Sequence, residues 1–370
     1  MLAYIIRRIL LIFPTLLGIM IINFIVIQAA PGGPIEQAIA RLQGLDVDAT
    51  ARVSGVDQGE VSGSRSNSRL GSGSSSIKYR GAQGLDPEII ADLERMYGFD
   101  KPAPERLFLM IGRYIRFDFG ESFFRDQKVT DIVLEKMPVS ISLGLWTTLL
   151  TYLISIPLGI AKAVRDGTRM DVWSSGIIVV GNAVPGFLFA ILLIVLFSGG
   201  RYFDWFPLRG LTSPEWETFG FFEKIFDYFW HLALPVFSLL VGAFAGLTLL
   251  TKNSFLDEIN KQYVMTARAK GVSERRVLYG HIFRNAMLII IAGFPGAFIS
   301  ILFTGALLTE IIFSLDGIGL LGYEAAINRD YPVMFATLYF FTLLGLVMQL
   351  ISDLTYTLVD PRIDFESRNA

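Results

Sequence analysis

Side chains able to do chemistry are sparse in this 370-residue chain. It has two histidines, His231 and His281, and no cysteine, which excludes thiol catalysis, disulfides and Cys-based metal sites. His231 falls at the edge of an apolar run and His281 in a basic stretch, so neither can serve a serine buried among apolar residues, and G-x-S-x-G is absent. With two histidines and no cysteine, a metal site would need carboxylates grouped about a histidine, and no metal site is expected. The phosphate-cradling G-x-x-x-x-G-K-[ST] is missing too, so this chain has no nucleotide chemistry of its own. Asn23, Asn182, Glu310, Gln349 and Asp353 interrupt apolar runs. Polar groups so placed either mark a path for ions and solutes or tie helices together. Pro185 and Gly186 beside Asn182 can open a helix locally. Asn182, Pro185, Phe187 and Glu310 are therefore the candidates for lining a solute path.

Positive charge is concentrated in TARAKGVSERRVLYGHIFRNA, Thr266 to Ala286, which holds Arg268, Lys270, Arg275, Arg276 and Arg284. Phe255, Ile259, Tyr263 and Ala267 recur every four residues, which predicts a helix from Asn253 or Ser254 with these on one side. Gly271 offers the left-handed conformation that ends a helix, and Ser273 can cap the next, with Glu274 in its first turn. Val277, Leu278 and Ile282 continue an apolar side. Such an element can fix topology against lipid phosphates, bind nucleic acid, or dock a protein partner. A net charge of −2 and the lack of interleaved aromatics argue against nucleic acid. Small residues at Ala267, Ala269 and Gly271 favour docking, because they let another backbone approach closely.

The elements that must position these residues are membrane spans. The composition is 52% hydrophobic and only 18% charged, with Phe at 30 positions, which is outside the balance of a soluble domain. Six runs approach the roughly 20 apolar residues that cross a bilayer as a helix. They are Ile9 to Ala30, Val139 to Ala161, Val172 to Ser198, Leu232 to Thr251, Ala286 to Phe313 and Val333 to Val359. The first is longer than the core of a secretory signal and is read as a retained span. Basic residues in the short loops set orientation. Arg7, Arg8, Lys162, Arg165, Arg169, the seven from Lys252 to Arg284, and Arg362 and Arg368 lie on one side. Only Arg201, Arg209, Lys224 and Arg329 lie on the other. Both termini are thus expected in the cytoplasm.

The expected organisation is a cytoplasmic N-terminus and first span over residues 1–30 and an external region over 31–138. Spans two to six then occupy 139–359, with a cytoplasmic loop at 252–285, and a cytoplasmic tail follows over 360–370. About half of the stretch from Ser54 to Gly84 is Ser or Gly, a composition that cannot offset the entropy of ordering it, so this insert is expected to be disordered. Beyond it Asp86, Pro87, Ile89, Ile90, Leu93 and Gly98 punctuate one helix, and Leu107, Phe108, Ile111, Tyr114 and Ile115 form the stripe of another.

The run YVMTARAKGVSERRVLYGHIFRNA resembles the cytoplasmic loop of binding-protein-dependent ABC importer permeases of the dipeptide and oligopeptide branch. MLAYIIRRILLIFPTLLGIMIINFIVIQAAPGGP is similar to the branch's first span and turn, FDFGESF to its Asp-x-Gly-x-Ser signature, and TEIIFSLDGIGLLGYEAAINRDYP to its connection between spans five and six. The PGGPIEQAIA turn most resembles the first permease subunit of peptide and microcin C uptake systems. The chain departs from the pattern at Met265 and Thr266, in lacking a proline from Met287 to Ile291, and in having Asp316 before Gly317. Only Ala267 and Gly271 match the general loop motif directly. The resemblance implies an all-α, six-span type I importer fold in the bacterial inner membrane. It also implies a heterodimer with a second homologous permease, a cytoplasmic ATPase that holds ATP and Mg, and a periplasmic peptide-binding protein. The ATPase contact implied is Ala267, Arg268, Ala269, Lys270, Gly271, Ser273, Val277 and Tyr279. An ion-coupled secondary carrier and a structural or assembly membrane protein are the alternatives.

Overall fold

A computed structural model describes residues 2–29, 88, 91, 101–122, 124, 125, 127–199, 202–300 and 307–359. The expected insert at 54–84, the helix expected from Asp86 to Gly98, the PGGP turn, Arg201 and the tail with Arg362 and Arg368 lie outside these. Among the described residues the long elements are all helical, and the one strand-like feature is a bridge between Glu121 and Lys128.

The helices are α1 (Leu2–Ala29), α2 (Ala103–Tyr114), α3 (Val129–Val164), α4 (Arg169–Ala183), α5 (Gly186–Phe197), α6 (Phe221–Ile259), α7 (Gln262–Ala269), α8 (Glu274–Val277), α9 (Phe283–Ser300), α10 (Leu307–Ile312), α11 (Ile318–Asn328) and α12 (Tyr331–Val359). Five segments, α1, α3, α6, α8 with α9, and α12, are long and apolar enough to cross a membrane. The sixth expected span, Val172 to Ser198, is broken: α4 and α5 meet at 91° around Val184 and Pro185. Proline there lacks an amide for the ladder and bars the residue before it from helical geometry. α6 extends well beyond the expected Leu232 to Thr251, because hydropathy reports only the part suited to lipid and not the polar turns that prolong the helix.

Two compact units divide the chain. The larger comprises Met1–Pro14, Leu134–Leu320 and Phe340–Ala370. One of its cores gathers Leu143, Ala190, Leu193, Leu232, Leu234, Val236, Phe313 and Leu315. A second joins the ends of α3 and α6 to α7, α8 and α9 through Ile160, Phe255, Val264, Val277, Ile282, Ala286 and Ile290. Val277 and Ile282 are five residues apart yet both are buried, and a π-type turn over Leu278–Ile282 absorbs the extra residue. α3 and α6 approach closely. Ser155 Oγ donates to Phe244 O at 3.1 Å, and a Cβ on Gly159 would lie 2.5 Å from Thr251 Cβ and 2.9 Å from Thr248 O.

Asp353, expected as an intramembrane carboxylate of span six, is 7% exposed. It accepts from Tyr4 Oη at 2.9 Å and pairs with Arg8 at 2.8 Å. Arg8 is therefore a partner for α12 as well as a topology charge. Asp353→Ala leaves that guanidinium without its counter-ion, and we expect a loss of about 1–3 kcal/mol, read as a lowered thermal midpoint in detergent. His231 is buried with Nδ1 2.9 Å from Asp227 O, a structural histidine, while His281 is exposed.

The smaller unit, Thr15–Val133 with Leu321–Tyr339, is built on aromatic contacts among Tyr114, Phe117, Phe119 and Tyr339. Burial first, then Asp118 and Asp330, pushes the Tyr114 phenol well above its ordinary range. Of the stripe expected on α2, Tyr114 is buried but Phe108 and Ile115 are exposed. Within FDFGESF, Asp118 accepts from the Gly120 amide at 3.1 Å, Gly120 takes φ +76°, and Ser122 Oγ donates to Asp330.

Candidate functional site

The basic loop folds as the sequence suggests at its turn and differently at its start. α6 does not yield a new helix at Asn253. It runs to Ile259, where the Asn260 side-chain amide donates to Leu256 O at 3.1 Å and Lys261 pairs with Glu258, and α7 begins at Gln262. Glu258 also accepts from Tyr263 Oη at 2.7 Å, and Asn285 Nδ2 donates to that same hydroxyl at 3.2 Å. Burial, then Glu258, raises the Tyr263 phenol pKa. Ser254 Oγ donates to Ala286 O at 2.7 Å. Helix α7 is thereby tied at its root to both α6 and α9.

α7 ends in a Schellman turn. Gly271 takes φ +78°, its amide donates to Arg268 O at 2.9 Å, and the Val272 amide donates to Ala267 O at 3.2 Å. Arg268 then grips Glu274 with two bonds, Nε to Oε1 at 3.0 Å and an Nη to Oε2 at 3.1 Å. Ser273 occupies the N-cap position, but its side chain makes no capping bond; the Arg268 fork orders the turn in its place. The result is a knob with a buried side and an exposed side. Ala267 at 9% and Val277 at 0% exposure face the core and seat the knob. Arg268, Ala269, Lys270, Gly271, Ser273 and Tyr279 are exposed. So is Met265, a departure from the resembled motif, whose flexible thioether stem suits an adaptable contact.

The path candidates do not converge. Asn182, Pro185 and Phe187 sit together and exposed at the α4–α5 break. Glu310 is elsewhere and fully buried. It accepts from Ser140 Oγ at 2.9 Å and from the Leu320 amide at 2.7 Å, while Ser140 Oγ accepts from the Ile318 amide at 2.8 Å. Its carboxylate clasps the start of α11. Among the described residues no group of three or more His, Asp or Glu is placed to hold a metal.

Residues 155–365 match the family described as binding-protein-dependent transport system inner membrane component. The chain belongs to this family. It is 61% identical to the peptidoglycan transport system permease protein YejB of Agrobacterium fabrum, over 99% of both chains. It is 58% identical to the inner membrane ABC transporter permease protein YejB of Escherichia coli O157:H7, over 99% of this chain and all of that one. It is also 34% identical to the oligopeptide transport system permease protein AppB of Bacillus subtilis, over 99% of this chain and all of that one. The permease is thus the membrane component of an ABC importer and not its ATPase.

Sequence reasoning missed the charges that this permease buries beside the knob's root. Lys162 and Lys252 were counted as topology determinants. Yet Lys162 is 0% exposed, donating to Asp171 O at 2.9 Å, Ser174 Oγ at 2.8 Å and Ser175 Oγ at 2.7 Å, and pairing with Asp171 Oδ1 at 3.0 Å. Lys252 pairs with Asp171 Oδ2 at 2.8 Å and Asp166 at 2.7 Å, and Asp171 also accepts from the Gly167 amide at 3.1 Å. No local signal marked them, because Lys162 follows the expected span Val139 to Ala161 by one residue and Asp171 precedes Val172 to Ser198 by one, where charges are ordinary loop residues.

Proposed function

We propose that this chain is one half of the transmembrane path of an ATP-driven peptide importer of the bacterial inner membrane, paired with a second, homologous permease. Cytoplasmic ATPase subunits carry the ATP and Mg and grip the exposed side of the knob from Met265 to Tyr279. Their closure shifts the spans between inward-facing and outward-facing arrangements. A periplasmic binding protein delivers the peptide, and both termini lie in the cytoplasm. The observation that carries this reading is the knob itself: exposed on one side and basic, at the root of two spans, on a chain with no phosphate-binding turn.

Nucleotide can bias the spans only if the knob's contacts differ between the two arrangements. The ion-coupled alternative is weakened because its two intramembrane carboxylates, Glu310 and Asp353, are held in structural bonds. Peptide is the chemistry shared by the named cargoes of the relatives, since peptidoglycan fragments carry peptide stems. Uptake of a labelled tripeptide, competed by a muropeptide, separates a general from a cell-wall preference.

The test has two readings. Because the chain has no cysteine, Lys270→Cys introduces a single thiol. A membrane-impermeant maleimide should label it in inverted vesicles and leave it unlabelled in intact cells. In the same preparation an ATPase bearing the phosphate-binding turn should co-purify in about equal amount. Labelling from outside, or uptake with no ATPase bound, overturns the proposal.

A further inference from the structure

The buried charges beside the knob's root form a closed, balanced set. Lys162 on α3, Asp171 on α4, Lys252 on α6 and Asp166 in the loop between α3 and α4 carry two charges of each sign. Lys162 is wholly enclosed, Asp171 is 7% exposed and Lys252 15%, while Asp166 at 53% closes the set toward solvent. Removing one member leaves its neighbours as uncompensated charge in a largely dry site.

Their place in the packing gives them a use. Ser155, Gly159 and Lys162 fall at i, i+4 and i+7 on one face of α3. They meet α6 in register: Ser155 at Phe244, Gly159 at Thr248 and Thr251, and Lys162 at Lys252 through the shared Asp171. The two helices run side by side in the same direction with no room for a side chain at Gly159. Seven residues beyond Lys252, α6 ends at Ile259, and the knob follows from Gln262. The last polar tie between α3 and α6 before the knob is therefore electrostatic, and it includes α4 as well as α3.

We propose that Asp171, bridging Lys252 and Lys162, is the positioning device that makes α3, α4 and α6 move as one body when the knob is displaced. Without the bridge, α6 shifts with the knob while α3 and α4 lag, and hydrolysis proceeds without full opening of the path. The inference rests on the importer reading, and its test keeps the two apart.

The assembled transporter is reconstituted in liposomes with both permeases, ATPase and binding protein, and ATP hydrolysed per peptide imported is measured. With Lys252→Met that ratio should rise about tenfold. Lys252→Arg, which keeps the charge and both pairings, should restore it. Asp171→Asn should raise the ratio similarly, and adding Lys252→Met to it should add little, as for residues acting as one unit. Lys162→Met risks loss of folding, so the half-buried Lys252 carries the test. An unchanged ratio overturns the proposal, as does a parallel fall of uptake and hydrolysis with reduced protein in the membrane, which marks a purely structural cluster. Absence of ATP-dependent uptake by the unaltered complex overturns the importer reading instead.

Discussion

Gly271→Trp should abolish most peptide uptake while the protein still inserts and folds. Two facts make the separation possible. A Cβ at Gly271 meets no atom within 4 Å, so this chain has space for a side chain. Yet φ is +78°, which an ordinary L-residue occupies at a cost of about 1–2 kcal/mol, and the indole would stand on the face offered to the ATPase. The local strain is small beside a membrane protein's total packing, so expression and thermal midpoint should change little. Uptake should fall at least about tenfold. Gly271→Asn is the control, since asparagine tolerates the left-handed region and is compact; it should retain most activity. Full transport by the Trp variant removes the knob from the coupling mechanism.

Glu310→Ala should be the most destabilising of the single changes considered. It opens a cavity at a site with no exposure and orphans both the Ser140 hydroxyl and the Leu320 amide. The combined cost is about 3–5 kcal/mol, seen as a large drop in thermal midpoint. Gly317→Ala should approach the same outcome from the other side, because its Cβ would collide with the Glu310 carboxylate and lie 2.7 Å from Ser140 Oγ. Glu310→Gln keeps the shape and loses one acceptor, so it should import peptide at a near-normal rate with modestly lower stability. Loss of uptake in a well-folded Gln variant would instead place Glu310 on the transport path.

These two sites also show what a sequence discloses. The turn at Gly271 was legible because the need for positive φ is written in one residue type and its helical flanks. The spans were legible because lipid imposes a length and a hydropathy on each segment separately. The start of α7 was misplaced since Phe255, Ile259, Tyr263 and Ala267 keep a four-residue period straight through the break at Asn260. Periodicity describes a face and is silent about a stop that depends on Lys261 closing on Glu258. The pairings Arg8 with Asp353, Lys252 with Asp171 and Ser140 with Glu310 join residues far apart in sequence. No local pattern encodes such a partner, so the bonds that hold Arg8, Lys252 and Glu310 do not show in the sequence. Ala267 and Val277 show a related limit: a motif gives membership in an element, and only packing decides which side of it faces inward.

The right-angle break at Pro185 carries a consequence for the bilayer. α4 has 15 residues, so from its basic end it rises about 22 Å, some three quarters of a hydrocarbon core of about 30 Å, before the chain turns. The final carbonyls of α4 and the first amides of α5 fall outside either helical ladder there. Backbone dipoles left open at such depth are tolerated only against protein or solvent. Val184, Pro185, Gly186 and Phe187 are bare on this chain's own surface. The permease therefore carries a bare break in its backbone ladder, roofed by neither of its adjoining helices, that water or a second protein surface must meet.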